Sequence, residues 1–365
     1  MKPALSNEIA YKALQGFFQR KPFVLFGTGT SCAVDLSFGM PALQKHLSDT
    51  IAGIKLSPTQ KAEWDSVMAA LGAGKDFESA MDAVKEQGLL KLVVDLTARF
   101  IAVLDKPNSH KIIMGKLQWP AIAMINKLVA GLPETDRTLH VATPNYDLLA
   151  EHAFSVAGIP FVTGFWNGIC RKLDWQQSER EVTYAEAVVS CRKPRTITKL
   201  KKHVRLYKVH GSLNVFLKDG ELIENNVWVY DPPPGVDRVM ITPGTSKFEQ
   251  LHKNRYELLW EFDKAIQNHD TFLFLGYGFN DNQITNNSIV RKMKEQGCQG
   301  LIITRDLNLR IEKLLSECSD LWVVCKQDGA EKQGARVYNS KYANWLDFDA
   351  RLWCLEVFSK DILGG

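Results

Sequence analysis

The sequence predicts an α/β protein, a doubly wound parallel sheet carrying a helical insertion module. Three observations predict it. Short, wholly apolar runs end in glycine or in polar clusters, as strands buried on both faces do. The later runs alternate with helix-length segments, the pattern of right-handed βαβ units. Residues 41–132, by contrast, are rich in helix formers and poor in β-branched runs.

Taken in order, residues 7–18 read as a helix with Ile9, Leu14 and Phe17 among its apolar positions. Phe23-Val24-Leu25-Phe26 follows as a buried strand and opens into Gly27-Thr28-Gly29-Thr30-Ser31, a strand-to-helix turn. The helical module occupies 41–132. Sheet signals resume at 138–142, with further strands expected at 204–209, 227–230, 239–242, 271–275, 301–304 and 321–324. Helices are expected at 248–268, 282–296 and 307–317, and 165–195 reads as a loop or small insertion. The expected division is a Rossmann-like domain over 1–40 and 133–365, interrupted by the helical module at 41–132.

The 365 residues are enough for one large domain plus a second module, and 45% hydrophobic with 24% charged residues is the balance of an ordinary globular chain. The first fifteen residues have polar residues throughout and no long apolar core, unlike a secretory signal, and no apolar run reaches the roughly 18 residues of a membrane span. Cysteines 32, 170, 191, 298, 318, 325 and 354 are odd in number and form no C-x-x-C pair, so reduced thiols in a cytoplasm are expected rather than a zinc cluster or a disulfide framework. Between Arg192 and Lys208 lie eight basic and no acidic residues. They suit a nucleic acid, an acidic partner surface or cofactor phosphates, and equally a solvated flank leading into a strand.

Five polar clusters fall at strand ends, where ligands bind in open α/β sheets. Gly27-x-Gly29 lets a pyrophosphate approach the backbone, although Cys32 replaces the third glycine of G-x-G-x-x-G and a plain tight turn reads the same way. Thr143-Pro144-Asn145-Tyr146-Asp147 offers polar side chains, with helix capping as the competing explanation. His210, beside Gly211, is a candidate general base, since imidazole titrates near neutrality, or else a structural histidine. Gly276-Tyr277-Gly278-Phe279-Asn280-Asp281 and Thr304-Arg305-Asp306 complete the set.

In that order these segments resemble the sirtuin superfamily. Gly27-Thr28-Gly29-Thr30-Ser31 resembles its G-A-G-x-S loop, Thr143 to Asp147 its T-Q-N-I-D motif, and His210-Gly211 its H-G. Gly276-Tyr277-Gly278-Phe279-x-Asp281 is similar to the G-Y-G-F-x-D form of bacterial sirtuin-like defence proteins. The chain departs from the deacetylases of the family in having no cysteine between Cys191 and Cys298, where they carry a four-cysteine zinc ribbon, and in reading Cys32-Ala33-Val34-Asp35-Leu36 after the glycine loop. The resemblance therefore implies the NAD-hydrolysing branch of antiphage systems, and among these the subunit encoded beside a HerA-type ATPase.

The implied roles follow motif by motif. Gly27, Gly29 and Ser31 contact the pyrophosphate, with Thr28 and Thr143 in the same cofactor-binding set. Asn145 positions the nicotinamide ribose and a water, Asp147 orients the carboxamide side, and His210 acts as base. Gly276, Gly278 and Asp281 shape the adenosine side, and no metal is implied. A protein deacylase or ADP-ribosyltransferase, and a non-catalytic module sensing NAD or ADP-ribose, are the alternatives. A homo-oligomer formed through the helical module is expected on equal terms with a module that packs on the sheet and covers the cofactor. Nucleic acid enters only through the ATPase partner, and no membrane is involved.

Overall fold

A computed structural model of the chain describes residues 2–190, 193–241, 259–280, 288–329 and 333–364. Its strands are β1 (Phe23–Phe26), β2 (Thr138–Thr143), β3 (Phe161–Val162), β4 (Phe165–Trp166), β5 (Arg171–Leu173), β6 (Thr183–Ser190), β7 (Lys193–Leu200), β8 (His203–Lys208), β9 (Gly211–Lys218), β10 (Glu221–Glu224), β11 (Asp237–Met240), β12 (Thr271–Leu275), β13 (Gln299–Ile303), β14 (Leu321–Lys326), β15 (Ala335–Asn339) and β16 (Leu346–Phe348).

Nine of them form one sheet in the order β16-β15-β14-β13-β12-β1-β2-β8-β3. From β14 to β3 every pairing is parallel. β15 and β16 add an antiparallel edge. That edge departs from the expected all-parallel sheet because only residues 327–334 join β14 to β15, too few for a crossover helix.

The apolar runs are buried on both faces because the sheet separates two cores. Val24, Phe26, Val141, Leu206, Leu273, Leu275 and Val324 point to one. Phe23, Leu25, Ala142, Tyr207, Phe272, Phe274 and Val323 point to the other, so the faces alternate residue by residue. Helices Asn7–Phe17, Ile122–Ala130, Leu149–Val156 and Leu355–Asp361 cover the first face. Helical residues 259–267 and helices Val290–Glu295 and Leu309–Glu317 cover the second. The chain runs outward from β1 through β2 to β8 and β3, then returns to the other side of β1 for β12, β13 and β14. The topological switch point, where such sheets bind ligands, is thus the junction of β1 and β12.

The stretch 41–132 is helical: Met40–Ala52, Pro58–Gly72, Phe77–Met81, Gln87–Ile113 and Ile122–Ala130. Its side chains divide between two cores. Leu43, Leu47, Trp64, Val67, Leu89 and Val93 gather among themselves, whereas Ala98, Ile101, Trp119, Met124 and Ile125 pack under the sheet. Helix Gln87–Ile113 joins the two.

Between β3 and β12 the chain adds a five-stranded sheet, β11-β9-β10-β5-β4, and a separate β6–β7 hairpin; β4, β5, β6 and the start of β7 fall within 165–195, which reads from sequence as a loop or small insertion. The strand expected at 227–230 is instead a 3-10 turn, Asn226–Val229. Asn225 Oδ1 accepts the Val227 N–H at 2.8 Å and bends the chain before a ladder can form. The helices expected at 248–268 and 282–296 and the strand at 239–242 lie partly outside the described residues. Among the described residues no helix is long and apolar enough to cross a membrane.

Candidate active site

At the β1/β12 junction two backbone turns interlock. Gly27 N–H donates to Leu275 O and Gly29 N–H to Gly276 O, each at 3.0 Å. A Cβ on Gly27 would stand 2.8 Å from Gly276 O, and one on Gly29 2.7 Å from both Cα and O of Gly276. Gly276 itself has φ +55°, a conformation glycine adopts without a Cβ penalty. These glycines serve the meeting of two strand ends, a demand separate from any ligand.

Behind this junction the Thr143 to Asp147 loop is tied to the glycine turn by side chains. Asn145 N–H donates to Thr143 Oγ1 at 3.0 Å. Asn145 Nδ2 donates to Gly27 O at 3.0 Å and to Ser31 Oγ at 2.9 Å. Ser31 Oγ in turn donates to Asp147 Oδ2 at 2.7 Å. Asn145 Oδ1 is buried and has no hydrogen-bond partner among the described residues. Capping contributes too: the helix starts at Leu149, and Asp147 Oδ1 accepts the Leu149 N–H at 3.3 Å.

Asp147 is 5% exposed. Burial pushes its carboxyl above the ordinary range, while the Lys208 charge and the Ser31 hydroxyl pull it back. Lys208, at the end of β8, is itself buried. Its Nζ donates to Asp147 O at 2.5 Å and pairs with Glu151 at 2.9 Å. From helix Gln87–Ile113, Asp105 Oδ1 accepts the Leu148 N–H at 2.8 Å, so a second carboxylate meets the start of the same helix.

His210 follows β8 and is 7% exposed. Its carbonyl accepts the Ile241 N–H at 2.9 Å. Gly211 has φ +87°, and a Cβ there would lie 1.9 Å from Val239 O, so only glycine lets the chain turn from His210 into β9 beside β11. Tyr146 holds the same corner to the loop: its hydroxyl donates to Ile241 O, and its carbonyl accepts the Leu213 N–H at 3.0 Å.

These elements enclose a cavity of about 580 Å³, within the size range of ligand sites. Gly27, Thr28, Gly29, Asn145, Asp147, His210, Gly276 and Gly278 all line it, together with Thr304 at the end of β13. Ser31 and Thr143 stand behind the wall, buried and bonded to Asp147 and Asn145 rather than lining the space. Asp281 lies outside the described residues. The opposite wall comes from residues that no motif marked: Phe38, Met40, Leu43, Gln44, Asp76, Phe77 and Ile101. Nothing in an amphipathic helix tells which of its apolar positions face a ligand rather than a neighbouring helix.

The basic stretch 192–208 is partly neutralised. Lys199 pairs with Glu186, Lys202 with Glu134, Arg205 with Glu179 and Glu261, and Lys208 with Glu151. Among the described residues no group of three or more His, Cys, Asp or Glu side chains is placed to hold a metal ion.

Compared with known proteins, residues 139–315 match the family profile of the SIR2-like domain. That stretch carries the Thr143 to Asp147 loop, His210-Gly211 and the Gly276 turn, and it is sirtuin-like. No curated protein matched the chain. One solved structure, described as "Structural Basis for the Mechanism and Regulation of Sir2 Enzymes", is similar at 14% identity with a TM-score of 0.40, over 84% of this chain and 90% of that one.

Proposed function

We propose that this chain, with its SIR2-like stretch over residues 139–315, is an NAD hydrolase that releases nicotinamide and ADP-ribose. The observation that carries the reading is the convergence of Asn145, Asp147 and His210 with the glycine turns of β1 and β12 on one cavity at the switch point. The buried, unpartnered Asn145 Oδ1 fits such a substrate, because a ribose hydroxyl supplies the donor it lacks.

Hydrolysis breaks the bond between ribose C1′ and the nicotinamide nitrogen. The electron pair leaves with nicotinamide, and water adds at C1′. Asn145, locked to Gly27 O and Ser31 through Nδ2, presents Oδ1 in one orientation and holds the ribose and the water. Asp147 offers negative charge near the carbon where positive charge grows, and Ser31 fixes its direction. His210 takes the proton that the water gives up. The apolar wall of Phe38, Met40, Leu43 and Phe77 keeps bulk water off the bond.

The Gly276-Tyr277-Gly278-Phe279 form supports placing the enzyme in bacterial antiphage defence, where it depletes cytoplasmic NAD beside a HerA-type ATPase. The helical stretch serves either to join copies of the chain or to pack on the sheet and cover the cofactor. The test is to incubate the purified chain with NAD, alone and with the ATPase, and to quantify nicotinamide and ADP-ribose. Equimolar release of the two without any peptide supports hydrolysis. Release only with an acetylated peptide, or binding with no product in either mixture, refutes it.

A further inference from the structure

Two carboxylates share one helix start. Asp147 Oδ1 accepts the Leu149 N–H and Asp105 Oδ1 accepts the Leu148 N–H, so the two acids cap adjacent amides of helix Leu149–Val156 from different segments. Leu148, the N-cap residue, has no polar side chain to do this itself. Asp105 is 1% exposed and comes from helix Gln87–Ile113, outside the SIR2-like stretch.

The surroundings treat the two acids differently. Asp147 has the Lys208 ammonium on its carbonyl and the Ser31 hydroxyl on its carboxylate. Asp105 has two neutral donors, Leu148 N–H and Ser109 Oγ at 3.0 Å. The other ionisable groups near it are Glu151 on helix Leu149–Val156 and Tyr230 after the 3-10 turn, whose ring lies under Lys106. Asp35 meets Asn108 and Lys111 on the same helix, Arg238 of β11 meets Asp95 and Arg99 earlier in it, and His46 stacks on Phe100. The carboxylates of Asp147 and Glu151 both act on Asp105, a like-charge neighbourhood that favours retaining a proton there.

We propose that Asp105 is a positioning residue for this site: it fixes the start of helix Leu149–Val156 against helix Gln87–Ile113, keeps its proton on the acid side of neutrality, and leaves the charge to Asp147. Burial and the Asp147 charge push the Asp105 carboxyl up to about 7, in keeping with that role. When the proton leaves, two charges abut at one helix start and the loop bearing Asn145 is driven off its place beside Gly27. The inference rests on the NAD-cleavage reading only for its activity readout.

The experiment compares the intact chain with Asp105→Asn, which keeps a neutral acceptor for Leu148, and with Asp105→Ala, which does not. Two quantities are followed from about pH 5.5 to about pH 8.5, bracketing the raised carboxyl. The first is the melting temperature. A group raised on folding contributes stability that is lost as pH rises through its folded value, so the intact chain should fall behind Asp105→Asn as pH climbs. The second is nicotinamide release from NAD. It should decline in the intact chain above about pH 7, stay level in Asp105→Asn, and at pH 6 be about ten-fold lower in Asp105→Ala than in Asp105→Asn, the effect of one lost buried hydrogen bond. Parallel melting curves for the intact chain and Asp105→Asn overturn the proposal, as does an unaltered alkaline decline in Asp105→Asn. An intact chain that releases no nicotinamide either alone or with the ATPase refutes the NAD reading, and the melting comparison still decides the role of Asp105.

Discussion

Gly29 and Gly276 meet backbone to backbone, with a hydrogen bond of 3.0 Å from Gly29 N to Gly276 O and no room for a side chain on either. Gly29 lies in the turn that follows the first strand and Gly276 directly follows the strand beside it, though about 250 residues separate them in sequence. The contact fixes the floor of the cavity before any ligand arrives. Gly29→Ala places its methyl 2.7 Å from the Gly276 backbone, which neither turn can yield cheaply. Overpacking of this kind costs about 1–3 kcal/mol. Urea unfolding should show a lowered midpoint with an unchanged slope, and an unchanged midpoint would mean that the two turns yield.

Ser31 stands behind the wall and works through Asn145 and Asp147. Ser31→Ala leaves Asp147 Oδ2 without its hydroxyl donor and should cost about 1–3 kcal/mol. Because Ser31 does not line the cavity, kcat for nicotinamide release should fall while KM stays close to that of the intact chain. A change confined to KM would instead place Ser31 against the substrate.

Lys208 is buried between Glu151 and the carbonyl of Asp147. Lys208→Met strands the Glu151 charge and should cost about 3–5 kcal/mol. Adding Glu151→Leu should restore part of that loss, which a double-mutant cycle in urea measures. Additive losses would show that the pair is not coupled.

Acid should weaken the fold through a cluster on the far side of β2. Burial lowers the His140 ring to about 2, and His203 and His269 are lowered by burial as well. A depressed group contributes stability that is present above its unfolded value and lost as pH falls toward its folded one. The unfolded chain takes up these protons below about pH 6.5, so each buried ring should remove about 1.4 kcal/mol per pH unit on the acid side. His140→Leu should shallow the acid slope by one proton, read from unfolding midpoints between about pH 6.5 and about pH 4. An unchanged slope would assign the acid sensitivity to other groups.

How far the fold can be read from the sequence depends on which residues set each element. β1, β2, β12, β13 and β14 are apolar on both faces, a pattern local to the strand, and the turns after β1 and β12 announce themselves by glycine. The motif residues at strand ends meet because the sheet is parallel and its strand ends converge, which the βαβ alternation already implies. Other features depend on partners distant in sequence. Asp105 sits within a 27-residue helix, and nothing in its neighbours points to Leu148. Ser31 looks like a phosphate contact in a glycine loop, yet its hydroxyl is spent on Asp147. The apolar wall from Phe38 to Phe77 has the spacing of ordinary helix packing. Val227, 71% exposed, belongs to a β-rich run that Asn225 turns before it can pair.

On the proposed function, Asn145 and His210 carry out cleavage of NAD in this cavity. Nicotinamide release from NAD, followed by chromatography for the intact chain, Asn145→Ala and His210→Ala, tests it most directly when each variant's far-UV circular dichroism matches that of the intact chain. Steady release by the intact chain and a loss of about 100-fold or more in each variant are expected, the scale on which a general base or an electrostatic donor contributes. Full turnover in both folded variants would contradict that reading.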